Sequence, residues 1–271
     1  MKRRIYYSAI SRTTSGLSGI KKKMRNIRKI FEVTENRQLT YKTFTMVLKG
    51  DTSCITGPGQ FVNIAIPGKY LRRPISVCEY SDGMLRLLYD VVGEGTYELS
   101  QMKPGDKLDI LTGLGNGFKI DDIKKPVLLG GGIGAAPLFQ LCKDLILHGL
   151  KPTVILGYNT SEDIPELTKW IADLGTDVYI ATVDGSLGTR GFVTDVIREK
   201  NLSFDYFYAC GPMPMLKALC LNIDKPGQVS IESRMGCGFG ACVCCSVETK
   251  DGSKRICKEG PIFRKEELIW K

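Results

Sequence analysis

Residues 126–137 read Pro-Val-Leu-Leu-Gly-Gly-Gly-Ile-Gly-Ala-Ala-Pro, and this stretch decides one half of the fold. Its first four residues predict a short buried strand, and a helical pattern follows its glycines as far as His148. Small residues at such a crossover let a helix N-terminus approach a diphosphate, although a tight strand-to-helix turn has the same composition. The stretch is not the dinucleotide fingerprint G-x-G-x-x-G, because Pro137 stands in the place of the last glycine.

Strands and helices alternate after this turn. Short apolar runs predict strands at residues 153–157, 177–181 and 205–209, and helical patterns are predicted near residues 165–174, 192–200 and 213–221. Alternation of this kind is typical of a parallel α/β sheet, whose ligands bind beyond the carboxyl ends of the strands. We therefore predict an α/β domain over residues 123–225.

The preceding residues have a different pattern. Alternating apolar and polar side chains predict strands at residues 39–47, 61–66 and 85–89, with glycine and proline between them. Several short strands at this spacing are typical of an antiparallel barrel or sandwich. We predict such a β domain over residues 26–122.

The positive charge of the chain lies mostly near its start. The 271 residues carry 38 basic and 29 acidic side chains, but residues 1–30 hold ten of the basic ones and no acidic one. Because the remainder is nearly neutral, no nucleic-acid-binding face is expected. Residues 1–25 are predicted to form a flexible basic leader, either an organelle transit peptide or an over-extended start upstream of Met24. No apolar stretch reaches the length of a membrane span, so no membrane partner is expected.

Five of the ten cysteines lie close together near the C-terminus, in a predicted small domain over residues 226–271. Four have the spacing C-x4-C-x2-C…C of plant-type 2Fe-2S loops: Cys237, Cys242, Cys245 and Cys257. Glycines in this loop let the backbone curl around a cluster and bring amide donors to its sulfurs. Zinc or a thiol switch is the alternative, and Cys244 is off the spacing. The scattered other cysteines indicate a reducing, cytoplasmic compartment.

Further motifs are candidate ligand contacts. Residues 72–76 place two arginines beside a hydroxyl, which suits a phosphate-bearing ligand. The run from Leu88 to Thr96 is a strand that enters a turn whose amides could take another phosphate oxygen, and Cys210 closes the last strand of the α/β region. The alternatives are a solvated pair of charges and a buried strand-end cysteine.

Together these segments resemble the ferredoxin–NADP reductase superfamily. The order of motifs is that of the superfamily: Arg73-Pro74-Ile75-Ser76, then Gly95-Thr96, then the glycine-rich turn with Pro137, then Cys210-Gly211-Pro212. The cysteine segment, from Arg234 to Pro261, is similar to that of the electron-transfer subunits of type B dihydroorotate dehydrogenases. The resemblance covers roughly residues 26–265.

The resemblance implies an antiparallel FAD-binding barrel, a parallel NAD-binding α/β domain and a small C-terminal 2Fe-2S cluster domain. It assigns to FAD the residues Arg73, Pro74, Ile75, Ser76, Leu88, Tyr89, Asp90, Gly95 and Thr96, and to NAD(H) the residues Gly131, Gly132, Gly134, Ala135 and Asp184. Cys210 is expected beside the nicotinamide as the catalytic residue, and the carboxylate of Asp184 favours NADH over NADPH. The family often has a basic residue where this chain has Asp90.

The resemblance also implies a chemistry and a partner. FAD converts between the hydride of NADH and the single electrons of a cluster, which requires alignment rather than a strong acid or base. The implied partner is a catalytic, FMN-containing dihydroorotate dehydrogenase subunit in a heterotetramer, facing Met235, Phe239 and Val243. The alternatives are an NADH-dependent reductase for an oxygenase or another ferredoxin-like acceptor, and a non-catalytic redox sensor or zinc protein.

Overall fold

The structure, a computed structural model, describes residues 27–120 and 122–270, so the predicted leader 1–25 lies outside the described residues. The first six strands are β1 (Arg28–Gln38), β2 (Thr43–Lys49), β3 (Phe61–Ile64), β4 (Arg73–Ser81), β5 (Met84–Asp90) and β6 (Lys107–Leu114). They form a closed barrel in the order β1-β2-β5-β4-β3-β6 with antiparallel neighbours. The predicted antiparallel barrel is confirmed. Helix α1 (Glu94–Ser100) follows β5.

The predicted strand over residues 39–47 is wrong at its start. The backbone turns at residues 39–42, where the Leu39 N–H donates to the Thr43 carbonyl at 2.8 Å. The Thr40 hydroxyl accepts from the Thr43 N–H at 3.1 Å. Such a side-chain bond stabilises a turn in competition with the ladder, so β1 ends before this segment and β2 begins after it.

The remaining elements form a second sheet and a hairpin. The strands are β7 (Pro126–Gly131), β8 (Thr153–Tyr158), β9 (Asp177–Thr182), β10 (Thr189–Arg190), β11 (Tyr206–Cys210), β12 (Gly227–Ser230), β13 (Ser246–Thr249), β14 (Gly252–Arg255) and β15 (Ile262–Arg264). The helices are α2 (Ala136–Leu147), α3 (Leu167–Ala172), α4 (Val193–Glu199) and α5 (Met213–Asn222). The seven-stranded sheet has the order β10-β9-β8-β7-β11-β12-β15 and is parallel except at β15. The predicted parallel α/β sheet is confirmed.

The segment 226–271 contributes strands to this sheet. β12 pairs in parallel with β11, and β15 pairs antiparallel with β12 at the sheet edge. The cysteine loop (residues 234–245) and the β13–β14 hairpin lie between these two strands in sequence. The sheet therefore anchors the loop at both of its ends.

Polar contacts fix the barrel against the sheet. The Arg37 guanidinium of β1 makes two hydrogen bonds to the Glu166 carboxylate, at 2.9 and 3.0 Å. The Tyr80 N–H of β4 donates to Gln140 Oε1 of α2 at 3.1 Å. These contacts fix the position of the barrel relative to the α/β sheet and so define the space between them. No helix within residues 27–120 and 122–270 combines the length and the apolar character needed to cross a membrane.

Candidate functional site

Two adjoining cavities lie between the barrel and the sheet. The barrel cavity, of about 420 Å³, is lined by β4, β5, α1 and the residues that follow β12. The interdomain cleft, of about 470 Å³, lies between the ends of β7 and β8 and the helices α4 and α5. The two cavities share Leu88, Asp90 and Ile133. Ligands in the two cavities would therefore lie next to each other.

Most residues predicted to bind FAD line the barrel cavity: Arg73, Pro74, Ile75, Ser76, Leu88, Tyr89, Asp90 and Thr96. Gly95 is buried and packs against Arg73. A side chain at position 95 would collide with the Arg73 guanidinium. Glycine at this position leaves the space that the guanidinium occupies.

Alternation along β5 separates the predicted residues into two faces. Leu88 and Asp90 line both cavities, whereas Tyr89 lines only the barrel cavity and its ring stacks on Phe44 with centroids 5.9 Å apart. The Tyr89 hydroxyl donates to Asn36 Oδ1 at 3.0 Å, and burial raises the pKa of Tyr89. The Tyr89 side chain therefore supports the barrel wall from inside.

Asp90 belongs to a polar group at the mouth of the cleft. Its Oδ1 accepts a hydrogen bond from Thr43 Oγ1 at 2.6 Å, and its Oδ2 lies 4.0 Å from Lys42 Nζ. Lys42 also pairs with Asp163 of the α/β domain at 2.9 Å. Lys42 thus places a cation beside Asp90. Sequence reasoning missed Lys42 because it precedes a different strand, β2, which only the barrel pairs with β5.

The glycine-rich turn forms the wall between the two cavities. Gly131 and Gly132 line the cleft, Gly134 lines the barrel cavity, and Ala135 is buried beneath them. Gly132 has φ +54°, in the left-handed region that favours glycine. The turn leads into the twelve-residue helix α2. The Ala136 N–H already donates to the Ile133 carbonyl and Pro137 has no N–H, so the amides that suit an anionic ligand are those at the start of the turn, Gly132–Ala135, that leads into α2.

Gly134 packs directly on the end of β11. A methyl group at position 134 would lie 2.5 Å from the Cys210 carbonyl oxygen, which belongs to the sheet backbone. We expect Gly134→Ala to lower the free energy of unfolding by about 1–3 kcal/mol, measured by urea unfolding. Gly57→Ala is the control, because the nearest heavy atom to its methyl group would be 3.9 Å away. Equal stability of the two variants would contradict this prediction.

Cys210 ends β11 behind the glycine-rich turn and is 1% exposed. Burial, reinforced by the charge of Glu232, raises the pKa of its thiol to about 12, so Cys210 is a neutral thiol at pH 7. Glu232 lines the barrel cavity, and desolvation by its surroundings raises the pKa of the carboxyl. Sequence reasoning missed Glu232, which follows the short strand β12 that the sequence also left unidentified.

Asp184 lies on the exposed loop after β9. Ser186 donates to its carboxylate from the N–H at 3.0 Å and from Oγ at 2.6 Å, and these bonds lower the pKa of Asp184. The Ser186 Oγ accepts from the Ser161 N–H at 2.8 Å, which ties the loop to the one after β8. Val183, the preceding residue, lines the cleft. An ionised carboxylate therefore stands at the edge of the cleft.

The four predicted ligand cysteines lie in two pairs, and the second pair includes Cys257, which is distant in sequence. The Sγ atoms of Cys237 and Cys242 are 3.4 Å apart, and the Cys257 N–H donates to Cys245 Sγ at 3.5 Å. Within residues 27–120 and 122–270, the thiols stand as two pairs and not as one closed group of metal ligands. Cys244 is exposed, and its thiol donates to the Arg234 carbonyl at 3.7 Å.

Backbone amides surround the first pair of thiols. The N–H groups of Ala241 and Cys242 lie 3.3 and 3.4 Å from Cys237 Sγ. Burial raises the pKa of the Cys237 thiol, but the amides of Cys242, Phe239 and Ala241 outweigh burial and lower that pKa to about 6. Burial raises the pKa of Cys257 to about 12. The loop thus supplies donors that favour a thiolate at its first cysteine.

The loop has the shape and the donors for a 2Fe-2S cluster. Gly238 and Gly240 have φ +77° and +87°, which a side chain would make unfavourable. The Arg255 guanidinium donates to the Gly240 carbonyl at 2.7 Å and holds this curve. Two pairs of thiols suit two irons, with amides directed to the sulfurs, whereas a zinc ion requires four ligands at one centre.

Two barrel asparagines hold the cysteine segment, and sequence reasoning missed both. Asn63 Nδ2 donates to the Cys237 carbonyl at 3.2 Å. Asn116 Nδ2 donates to the carbonyls of Glu259 and Ile262, at 2.9 and 3.1 Å. The sequence signals are weak: Asn63 is a single polar residue within an apolar strand, and Asn116 lies between two glycines.

The barrel cavity adjoins the cysteine segment directly. Met235 precedes Cys237 and Pro261 follows Cys257, and both Met235 and Pro261 line the barrel cavity. The cleft, the barrel cavity and the cysteine loop therefore follow one another through shared walls.

Two family models match the chain. One is described as the iron-sulfur cluster binding domain of dihydroorotate dehydrogenase B and matches residues 232–269. The other is described as an oxidoreductase NAD-binding domain and matches residues 128–221. The first covers the cysteine loop with its flanking strands, and the second covers the sheet from the glycine-rich turn to α5.

Similar proteins cover most of the chain. The dihydroorotate dehydrogenase B (NAD(+)), electron transfer subunit, of Fusobacterium nucleatum subsp. nucleatum is 42% identical over 250 residues, which cover 85% of this chain and 94% of the relative. That of Geobacillus sp. is 40% identical over 250 residues, with 88% and 96% covered.

Solved structures show the same architecture. A structure of an NADH-dependent reduced ferredoxin-NADP oxidoreductase, described in connection with flavin-based electron bifurcation, has a TM-score of 0.81 and 31% identity. The match covers 89% of this chain and 90% of that chain. An Amycolatopsis cytochrome P450 reductase, with a TM-score of 0.61 and 24% identity over 70% of this chain and 63% of its own, is similar in fold alone.

Proposed function

The chain belongs to the family of electron transfer subunits of dihydroorotate dehydrogenase B, and we propose that its two cavities and its cysteine loop form one electron path. It is an oxidoreductase subunit that carries electrons between NAD(H) and a catalytic dihydroorotate dehydrogenase subunit, with FAD and a 2Fe-2S cluster as its cofactors. When bound, these groups interconvert two-electron and one-electron chemistry. The observation that supports the path is that the cleft and the barrel cavity are lined by common residues, and that the barrel cavity is also lined by residues next to the cysteine loop.

In this proposal the barrel cavity binds FAD. The Arg73 guanidinium pairs with the diphosphate, and Pro74, Ile75 and Ser76 line the flavin ring. Thr96 acts through the backbone, because its Oγ1 already accepts from the Val92 N–H at 2.9 Å and shapes the turn before α1.

The interdomain cleft binds NAD(H) in this proposal. The turn at Gly131 and Gly132, which leads into α2, receives the diphosphate, and Leu88 and Ile133 form the boundary with the flavin. The neutral, buried Cys210 thiol packs behind this boundary. Cys210 is not among the residues that line either cavity, so we propose that it aligns the nicotinamide indirectly, by supporting this boundary from behind. Hydride transfer depends on the distance and orientation of the rings.

The cysteine loop holds the cluster in this proposal, with Cys237, Cys242, Cys245 and Cys257 as ligands. Phe239 and Val243 on the loop are 42% and 76% exposed. Apolar side chains at this exposure beside a redox group suit a protein partner. We propose that the catalytic, FMN-containing subunit docks on this face, together with Met235, in a heterotetramer.

We also propose that the chain works in the cytoplasm. No disulfide bond is present within residues 27–120 and 122–270, and five of the ten cysteines are buried. Thiols in this state suit a reducing compartment.

Co-expression with the catalytic subunit tests the function directly. We expect the purified complex to show flavin and iron-sulfur absorption and to reduce NAD(+) when dihydroorotate is oxidised to orotate. A complex that holds both cofactors and reduces an added ferredoxin-like acceptor, but forms no orotate, would support the oxygenase-type reductase instead. A colourless preparation would support the sensor or zinc alternative.

Asp184 determines the nucleotide preference in this proposal. We expect Asp184→Asn to lower the NADH-over-NADPH ratio of kcat/KM roughly tenfold, because the charge next to a 2′-phosphate contributes about 1.4 kcal/mol. Asp177→Asn, at the opposite end of β9, is the control. Since the hydrogen bonds from Ser186 lower the pKa of Asp184, its carboxylate stays ionised, and the wild-type ratio should not change between about pH 7 and 8, where the 2′-phosphate is also ionised. An unchanged ratio in Asp184→Asn would refute this assignment.

A further inference from the structure

Asn63 is a polar residue in an apolar strand. It lies on β3 and is 1% exposed, between the fully buried Val62 and the buried Ile64. Its register partner is Pro74 on β4, the strand that lines the barrel cavity. The Arg72 guanidinium donates to the Asn63 carbonyl at 3.3 Å and further secures this position. Asn63 is therefore rigidly attached to the flavin side of the barrel.

The amide of Asn63 reaches the cysteine loop. Its Nδ2 donates to the Cys237 carbonyl oxygen at 3.2 Å, across the boundary between barrel and loop. Gly238, at φ +77°, lets the loop come this close, since a side chain at position 238 would collide with Asn63 Nδ2. The contact thus requires both the amide and the glycine.

This bond fixes the orientation of one peptide plane. The Cys237 carbonyl and the Gly238 N–H belong to the same planar trans peptide and point in opposite directions. Holding the carbonyl against the barrel therefore sets the direction in which the chain enters the loop. The following amides, of Ala241 and Cys242, then lie 3.3 and 3.4 Å from Cys237 Sγ.

The side-chain amide oxygen of Asn63 indicates that packing alone does not explain why this position is an asparagine. Asn63 Oδ1 is buried and has no hydrogen-bond partner among the described residues. An unpaired buried acceptor costs about 1–3 kcal/mol, which leucine, of similar shape, would not incur. By contrast, Asn116 uses both its oxygen and its nitrogen in hydrogen bonds to the cysteine segment. The Nδ2 donor of Asn63, and not its oxygen, therefore makes the contact between the barrel and the cysteine loop.

We propose that Asn63 is a positioning residue for electron transfer, which orients the Cys237–Gly238 peptide and thereby the amide donors around the first cluster ligand. This inference rests on the proposed function of the cysteine loop. Hydrogen bonds to cluster sulfurs tune the reduction potential of a cluster. Through Asn63, the barrel that holds the flavin therefore adjusts the potential of the cluster that accepts its electrons.

The test uses the full chain in complex with the catalytic subunit and compares Asn63→Leu and Asn63→Ala with the wild type. The control is Val62→Ala, which removes a buried side chain of the barrel core and destabilises the fold. The readouts are the electron paramagnetic resonance spectrum of the reduced cluster, its midpoint potential, and the rates of flavin and cluster reduction by NADH in stopped flow.

We expect both Asn63 variants to change the spectrum and shift the potential. Cluster reduction should be about tenfold slower, corresponding to one lost hydrogen bond, with flavin reduction unchanged. Val62→Ala should keep the wild-type spectrum despite lower stability. A wild-type spectrum and potential in Asn63→Ala, or in Asn63→Leu where it folds, would overturn the inference alone. A wild-type complex that binds FAD but no cluster would overturn the proposed function together with it.

Discussion

Cys245→Ser is expected to abolish electron delivery to the catalytic subunit while the reduction of the flavin by NADH continues. The loss should exceed about 100-fold, since even outer-shell partners of metal ligands are worth about 10- to 100-fold. Cys245 is 1% exposed and forms the second thiol pair with Cys257. A serine hydroxyl is a poor ligand for iron, so the cluster should be absent from the absorption spectrum. NADH-driven reduction of a dye that accepts electrons from flavin measures the part of the path that remains.

The adjacent cysteine provides a matched control. Cys244 is exposed and its thiol donates to the Arg234 carbonyl at 3.7 Å. Cys244→Ser should therefore retain the cluster and the full activity of the complex. If Cys244→Ser removed the cluster and Cys245→Ser did not, the ligand assignment would be wrong.

Arg73→Ala is expected to weaken FAD binding by roughly 10- to 100-fold, because hydrogen bonds from a charged group contribute about 1.5–3 kcal/mol. Arg73 lines the barrel cavity and its guanidinium packs against Gly95 at the start of α1. Arg73→Lys should recover only part of the affinity, since an ammonium cannot bind a diphosphate in the bidentate manner of a guanidinium. Titration of the FAD-depleted chain, followed by flavin fluorescence, measures the affinity.

The neighbouring arginine separates binding from stability. Arg72 pairs with the Asp109 carboxylate at 3.0 Å and donates to the Asp109 carbonyl at 2.9 Å, so it is used within the barrel. Arg72→Ala should lower the thermal midpoint and leave FAD affinity unchanged. Equal losses of FAD affinity in the two variants would contradict the assignment of Arg73.

Local patterns predicted the α/β half of the fold well. The strands β7, β8, β9 and β11 and the four helices between and after them were identified from short apolar runs and helical periods. The barrel was identified as a class, but the turn at residues 39–42 was not. A hydroxyl-to-backbone bond of Thr40 ends the strand there, and alternation of side chains carries no information about it.

The cofactor motifs were visible in the sequence because each is local. The glycine-rich turn, the arginine–serine segment and the first three predicted ligand cysteines each lie within nine residues or fewer, and Cys257 follows the third cysteine after eleven residues. Glu232, Lys42 and Asn63 were not visible, since each is a single polar residue whose partner is far away in sequence.

The sequence by itself determined the order of the three units, the spacing of the four cysteines proposed as ligands and the small residues of the glycine-rich turn, because periodicity and spacing are properties of neighbouring residues. Only the tertiary structure decided how these units meet. It placed Met235 and Pro261 in the wall of the barrel cavity and gave the cleft and the cavity Leu88 in common. The physical reason is that such adjacency depends on strand order and domain packing, which bring together residues that no local pattern relates.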